Sequence, residues 1–176
     1  RPYFLPGNHE EVLLRILKGE RGMLADWLKY GGAECLLSYD CDPTMFDARN
    51  ERAGLAAVAP AIPTEDASFL ASFVDTLRLG DYLFVHAGIR PGVDLSLQSQ
   101  SDLRWIRSPF LDSEGDHGVV VVHGHSINPM VEQLPNRIGI DTGAYRTGVL
   151  TTLALEGESR WILDTSETVG TETAAH

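Results

Sequence analysis

GVVVVHGHS, residues 118–126, is the stretch on which the reading of this chain turns. Four successive valines favour a strand, and they leave both faces of its pleat apolar. A strand apolar on both faces is one covered on both sides, as in a layered α/β domain. The run then stops abruptly at His123-Gly124-His125. A strand that ends in glycine-flanked polar residues is built to aim side chains into a cleft, because glycine lets the backbone turn tightly there.

Three more segments end the same way. DYLFVHAG (81–88) runs out into His86, and NRIGIDTGA (136–144) into Asp141 and Gly143. The apolar YFL of residues 3–5 leads into Gly7-Asn8-His9-Glu10, directly before a helical pattern. In layered α/β folds, ligands collect at the carboxyl ends of the strands. A cleft holding Asn, His and Asp has the donor set for a divalent cation. Each residue alone has a plainer reading. Asn8 with Glu11 three residues on is a capping-box pattern, so Asn8 is also expected to cap the helix that follows. A single His is more often structural than a ligand. Four independent segments with the same ending make coincidence the weaker account.

The remaining pattern fills in the domain. HEEVLLRILKG (9–19) sets Val12, Leu13, Ile16 and Leu17 on one helical face and stops at Gly19. MLADWLKYGG (23–32) predicts a short amphipathic helix stopped by two glycines, and FDARNERAGLAAVA (46–59) another. TEDASFLASFVDTLRLG (64–80) reads as one helix, with Thr64 as N-cap and Gly80 just past its end. GVLTTLALEG (148–157) and SRWILD (159–164) read as closing strands, followed by a small, polar tail.

Composition narrows the function. The 176 residues suit one domain, and 43% hydrophobic residues can supply its core. A net charge of −11 disfavours nucleic acid and anionic membranes as partners, since both are held mainly by Lys and Arg. Cys35 and Cys41 lack metal-site spacing and read as reduced thiols. No run approaches the roughly 18 apolar residues of a membrane span, and no signal peptide is evident, so the expected location is cytoplasmic.

Taken in order, LPGNHE, WLKYGGAECLLSYD, LFVHAGIRPG, DLRWIRSPF, VVHGHS and NRIGIDTGAYRTG resemble the PPP branch of the calcineurin-like metallophosphoesterases. The likeness is strongest to bacterial serine/threonine protein phosphatases and diadenosine-tetraphosphatase-like members, and it spans most of residues 4–155. It implies an α/β/β/α sandwich of two mixed sheets with helices outside. It also implies a metal-dependent phosphoric-ester hydrolase, in which a metal-bridging hydroxide attacks phosphorus. Asn8, His86 and His125 would be ligands of one metal of a binuclear site. His9 would be the general acid beside the leaving oxygen, and Arg107 the phosphate-gripping arginine. Asp141 and Gly143 would line the site, and His123 would stand behind the ligands. The implied cofactors are two divalent ions, Mn²⁺ first, with Fe or Zn²⁺ as alternatives. The substrate would be a phosphoserine or phosphothreonine protein, or alternatively a dinucleoside tetraphosphate.

The chain departs from the family in one respect. The Gly-Asp-x-His-Gly and Gly-Asp-x-x-Asp-Arg-Gly motifs that precede Gly-Asn-His-Glu there are absent. GDHG at 115–118 comes in the wrong order and reads as a solvated loop. Residues 1–163 are therefore expected to be the carboxyl-terminal two-thirds of one domain, with a mobile tail at 164–176. Ligands for only one metal are present. Two consequences are expected: an exposed apolar sheet edge open to self-association, and, as an alternative function, an inactive binding module.

Overall fold

A computed structural model of the chain describes residues 1–45, 50–157 and 159–166. The polar tail expected at the end lies outside the described residues from 167 onward, as do residues 46–49 of the helix expected at 46–59.

The first half is helical. α1 (Asn8–Leu17) buries Leu13 and Ile16, as its spacing predicts. α2 (Leu24–Trp27) runs through a wider turn, kinked at Tyr30 and Gly31, into α3 (Ala33–Ser38). Helical backbone angles are lost at Tyr30 and Gly31, so the helix begun by α2 stops there, as its glycines predict, and α3 follows at once. α4 (Glu51–Ala61) is capped by Asn50, whose side chain accepts from the Ala53 amide, and Pro60 falls in its last turn. Leu13, Ile16, Leu24, Trp27, Leu36, Leu55, Val58 and Ile62 form one buried cluster. Each is worth about 1.5–3 kcal/mol relative to an exposed side chain.

The single helix expected over 64–80 is corrected by the structure. α5 (Thr64–Ala71) ends early, with Pro63 rather than Thr64 at its N-cap. β1 (Thr76–Leu79) then pairs antiparallel with β2 (Tyr82–Val85), Leu79 opposite Tyr82. Gly80 is thus a turn residue of a two-residue hairpin, at φ 59°. That left-handed conformation is what such tight turns demand, and glycine adopts it without steric cost. Helical spacing in TLRL competes with a strand partner only three residues away, and the partner wins.

The second half holds α6 (Gln100–Trp105), β3 (Val120–His123), β4 (Glu132–Gln133), β5 (Arg137–Gly139), α7 (Ala144–Thr147), β6 (Thr151–Glu156) and β7 (Ser159–Asp164). One five-stranded sheet has the order β1-β2-β3-β5-β4. Its inner strands β2, β3 and β5 are parallel, and both edge strands are antiparallel. β6 and β7 form a separate antiparallel pair, so the second sheet is not mixed as expected. Arg160 ties this pair to β2 by donating to the Tyr82 hydroxyl at 2.8 Å. Trp161, Ile162 and Leu163 stay exposed along β7. The core against the main sheet gathers Leu83, Val85, Ala87, Ile89, Leu103, Ile106, Phe110, Val119 and Val121. The architecture is a mixed α/β one, and no helix among the described residues is long and apolar enough to cross a membrane. Both cysteines are free and half-buried.

Candidate metal and phosphate site

Three parallel strands deliver their next residues to one end of the sheet. His86 follows β2, Gly124 and His125 follow β3, and Asp141 follows β5. Pairing continues just past the strand ends. The Gly124 amide donates to the His86 carbonyl at 2.8 Å, and the Ile140 amide to the His123 carbonyl at 2.9 Å. This fixes the backbones of the two histidine-bearing loops relative to each other. The His86 loop is held from behind as well, since the Ala87 amide donates to Leu103 at 2.9 Å. Arg90, on the same loop, pairs with Asp102 at 2.5 Å.

α1 brings its first turn to the same place. Asn8 is not the N-cap. Gly7 is, and its amide donates to the Glu10 carboxylate at 2.7 Å. The capping partner is therefore Glu10, not Glu11, and the Asn8 side chain is free for other work. His86 Nε2 lies 2.9 Å from Asn8 Oδ1 across 78 residues of sequence. Gly7 makes this approach possible. A Cβ there would stand 2.7 Å from His86 Cε1, closer than any real contact.

His125 completes the group, its ring 5.2 Å from that of His86. Its φ is 61°, in the left-handed region. Such a conformation in a non-glycine residue costs on the order of 1–3 kcal/mol and concentrates at functional sites. Burial holds both imidazoles neutral at physiological pH, each pushed down to about 4. Asp141 opposes this at both rings. His9 and Arg104 reinforce it at His86, and Arg107 and His86 reinforce it at His125. Two neutral imidazoles and an amide oxygen are all lone-pair donors, the protonation state a cation requires. Among the described residues, no trio of His, Cys, Asp and Glu converges. The converging trio includes Asn8 instead. Its spacing suits a cation, since two donors at right angles on a shell of roughly 2.1 Å radius stand about 3 Å apart. The 2.9 Å between Asn8 Oδ1 and His86 Nε2 thus fits two donors to a shared cation, with the His125 ring beside them.

Arg107 stands at the mouth, exposed, with Nη1 donating to Ser126 Oγ at 3.3 Å. That bond puts its guanidinium beside the residue that follows His125. His9 is exposed on the outer side of the same helical turn, its ring against Gly31, where a Cβ would lie 3.6 Å from Cε1. Asp141 is half-buried and accepts from the Gly143 amide at 3.0 Å. Gly143, at φ 75°, starts α7. His123 turns away into the core. It packs edge-on against Phe110 at 5.0 Å and donates from Nδ1 to the Gly124 carbonyl at 3.1 Å. Asn8, His86 and His125 thus come together with Asp141 at their side and Arg107 at the rim. His123 does not join them. The GDHG loop lies elsewhere, pinned at Gly115 by the Asn136 side chain. A cavity of about 350 Å³ opens beside His86 and His125, with Leu5, Phe84, Val122 and Ile140 among its walls.

Sequence reasoning missed Glu11, Trp105 and Ser126. The spacing of Glu11 from Asn8 points to a cap, and that signal conceals its contacts with Arg104 and Trp105 of α6.

No family model matches the chain, and no curated protein does. A solved crystal structure described as that of "a putative diadenosine tetraphosphatase" covers 92% of this chain and 68% of its own length, with a TM-score of 0.60 and 18% sequence identity. The chain shares that structure's fold.

Proposed function

We propose that this chain carries the catalytic half-site of a metal-dependent phosphoric-ester hydrolase with the layered metallophosphoesterase sandwich, acting on phosphoserine or phosphothreonine in proteins. The observation that supports it is the grouping of Asn8, His86 and His125, Asn8 Oδ1 2.9 Å from His86 Nε2 and the two imidazoles 5.2 Å apart, with the Arg107 guanidinium bonded to Ser126 beside them. When bound there, a divalent cation supplies charge cancellation on phosphoryl oxygens and acidifies water. The chain's own groups do the rest. Asn8, His86 and His125 hold the ion. Arg107 binds two phosphoryl oxygens through its planar fork and orients the ester. His9 gives a proton to the departing oxygen. The α1 N-terminus adds a partial positive charge facing the same anion.

A second substrate class, dinucleoside tetraphosphates, is favoured by the description of the structural neighbour. A second function, metal or partner binding without turnover, is favoured by the single set of ligands in this chain. One experiment separates these readings: hydrolysis of an aryl phosphate, a phosphoserine peptide and diadenosine tetraphosphate with added Mn²⁺. Turnover of the first two, abolished by His86→Ala and by His125→Ala, is the expected result. Turnover of the dinucleotide alone selects the second substrate. Mn²⁺ binding with no turnover of any of the three selects the binding module.

A further inference from the structure

His125 holds a left-handed backbone conformation, and something must keep its ring on target. The Trp105 indole stands against it, ring centroids 6.2 Å apart at 75°, edge to face. Yet Trp105 is 42% exposed, so burial alone does not fix that indole. Its Nε1 donates to Glu11 Oε2 at 3.1 Å. The same carboxylate accepts from Arg104 Nη1 at 3.5 Å and, on its other oxygen, from Arg15 Nη1 at 3.3 Å. Arg104 is anchored in turn on Asp75, with Nε and Nη2 both reaching Oδ1, at 2.9 and 2.5 Å. Glu11 is largely shielded, its side chain 18% exposed.

The connectivity decides the role. Glu11 lies three residues beyond Asn8, on the same face of α1. Trp105 ends α6, two residues before Arg107. One carboxylate therefore clamps the helix that carries Asn8 to the helix end that walls His125 and leads to Arg107. We infer that Glu11 is a positioning residue: through the Trp105 indole it sets the His125 ring for metal binding. This inference rests on the metal reading of the site. Groups that orient metal-bound histidines typically change affinity about 10–100-fold when removed.

The test is Mn²⁺ titration of the full chain by calorimetry, with circular dichroism to show that each variant is folded. Glu11→Ala is expected to weaken Mn²⁺ binding at least tenfold. Glu11→Gln, which keeps an oxygen for the indole N–H, is expected to recover most of the affinity. In a Trp105→Phe background, Glu11→Ala is expected to weaken Mn²⁺ binding less than it does in the wild type, because the indole bond is already gone and only those to Arg104 and Arg15 are left to lose. Wild-type affinity in folded Glu11→Ala overturns the assignment. So does Glu11→Gln binding as weakly as Glu11→Ala, since charge rather than the indole contact would then be the link. If the wild-type chain binds no Mn²⁺, the metal reading falls and takes this inference with it. That result is distinct from either of the other two.

Discussion

The helical half and the sheet half bury different chemistry. Among the described residues the helical cluster is entirely apolar, from Leu13 to Ile62. The buried polar and charged residues, His123, Asn136 and Arg137, all belong to the sheet half. The reason is geometric. A helix satisfies its own backbone and can turn a wholly aliphatic stripe inward. Parallel strands end together in loops whose backbone groups need partners, and polar side chains supply them. Arg137 is the clearest case. Its guanidinium donates to the carbonyls of Leu111 and Ser113 and to Glu132, fastening the segment after α6 to β5. The helical half is a scaffold that contributes one turn to the site, and the sheet half contributes its floor.

The largest expected effects break the two cores separately. Phe110→Ala, at a fully buried ring against His123, should cost about 3–5 kcal/mol, and Ile16→Ala in the helical cluster about 2–5. Denaturant melts measure both. The comparison predicts that folded Ile16→Ala keeps its Mn²⁺ affinity while folded Phe110→Ala loses some. Equal affinity in the two would mean that the sheet core does not tune the site.

Next come changes at the junction. His9→Ala should lower kcat by about 10²–10⁴ with little change in KM, and Arg107→Ala should raise KM as well as lower kcat. Steady-state kinetics on an aryl phosphate reads both. Unchanged kcat in the His9 variant would remove its role as acid. Gly7→Ala should cost about 1–3 kcal/mol by overpacking and weaken Mn²⁺ binding, because the added methyl must displace His86.

The smallest effect is a pH dependence of the sheet half alone. Burial holds His117 below its ordinary pKa of 6.5, and its Nε2 is buried without a partner. The unfolded chain therefore takes up this proton at a higher pH than the folded one. Stability from this group is present above 6.5 and is lost as pH falls below it. His117→Phe should flatten that part of the curve in urea melts between pH 7 and 5. An unchanged slope would show that other groups carry it.

The sequence by itself determined the inner strands, the α1 face and the segments whose ends meet. These signals are local: β-branched runs, 3.6-residue spacing, and glycines beside His, Asn and Asp. What only the tertiary structure decided depends on partners far away in the chain. TLRL became a strand because Tyr82–Val85 lies across a two-residue turn. Gly7 takes the cap with Glu10 as its partner, and the side chain of Asn8 meets His86, 78 residues on. His123 and His125, two residues apart on one strand end, look alike in sequence. The left-handed turn at His125 sends one to the site, and the ring of Phe110 keeps the other in the core.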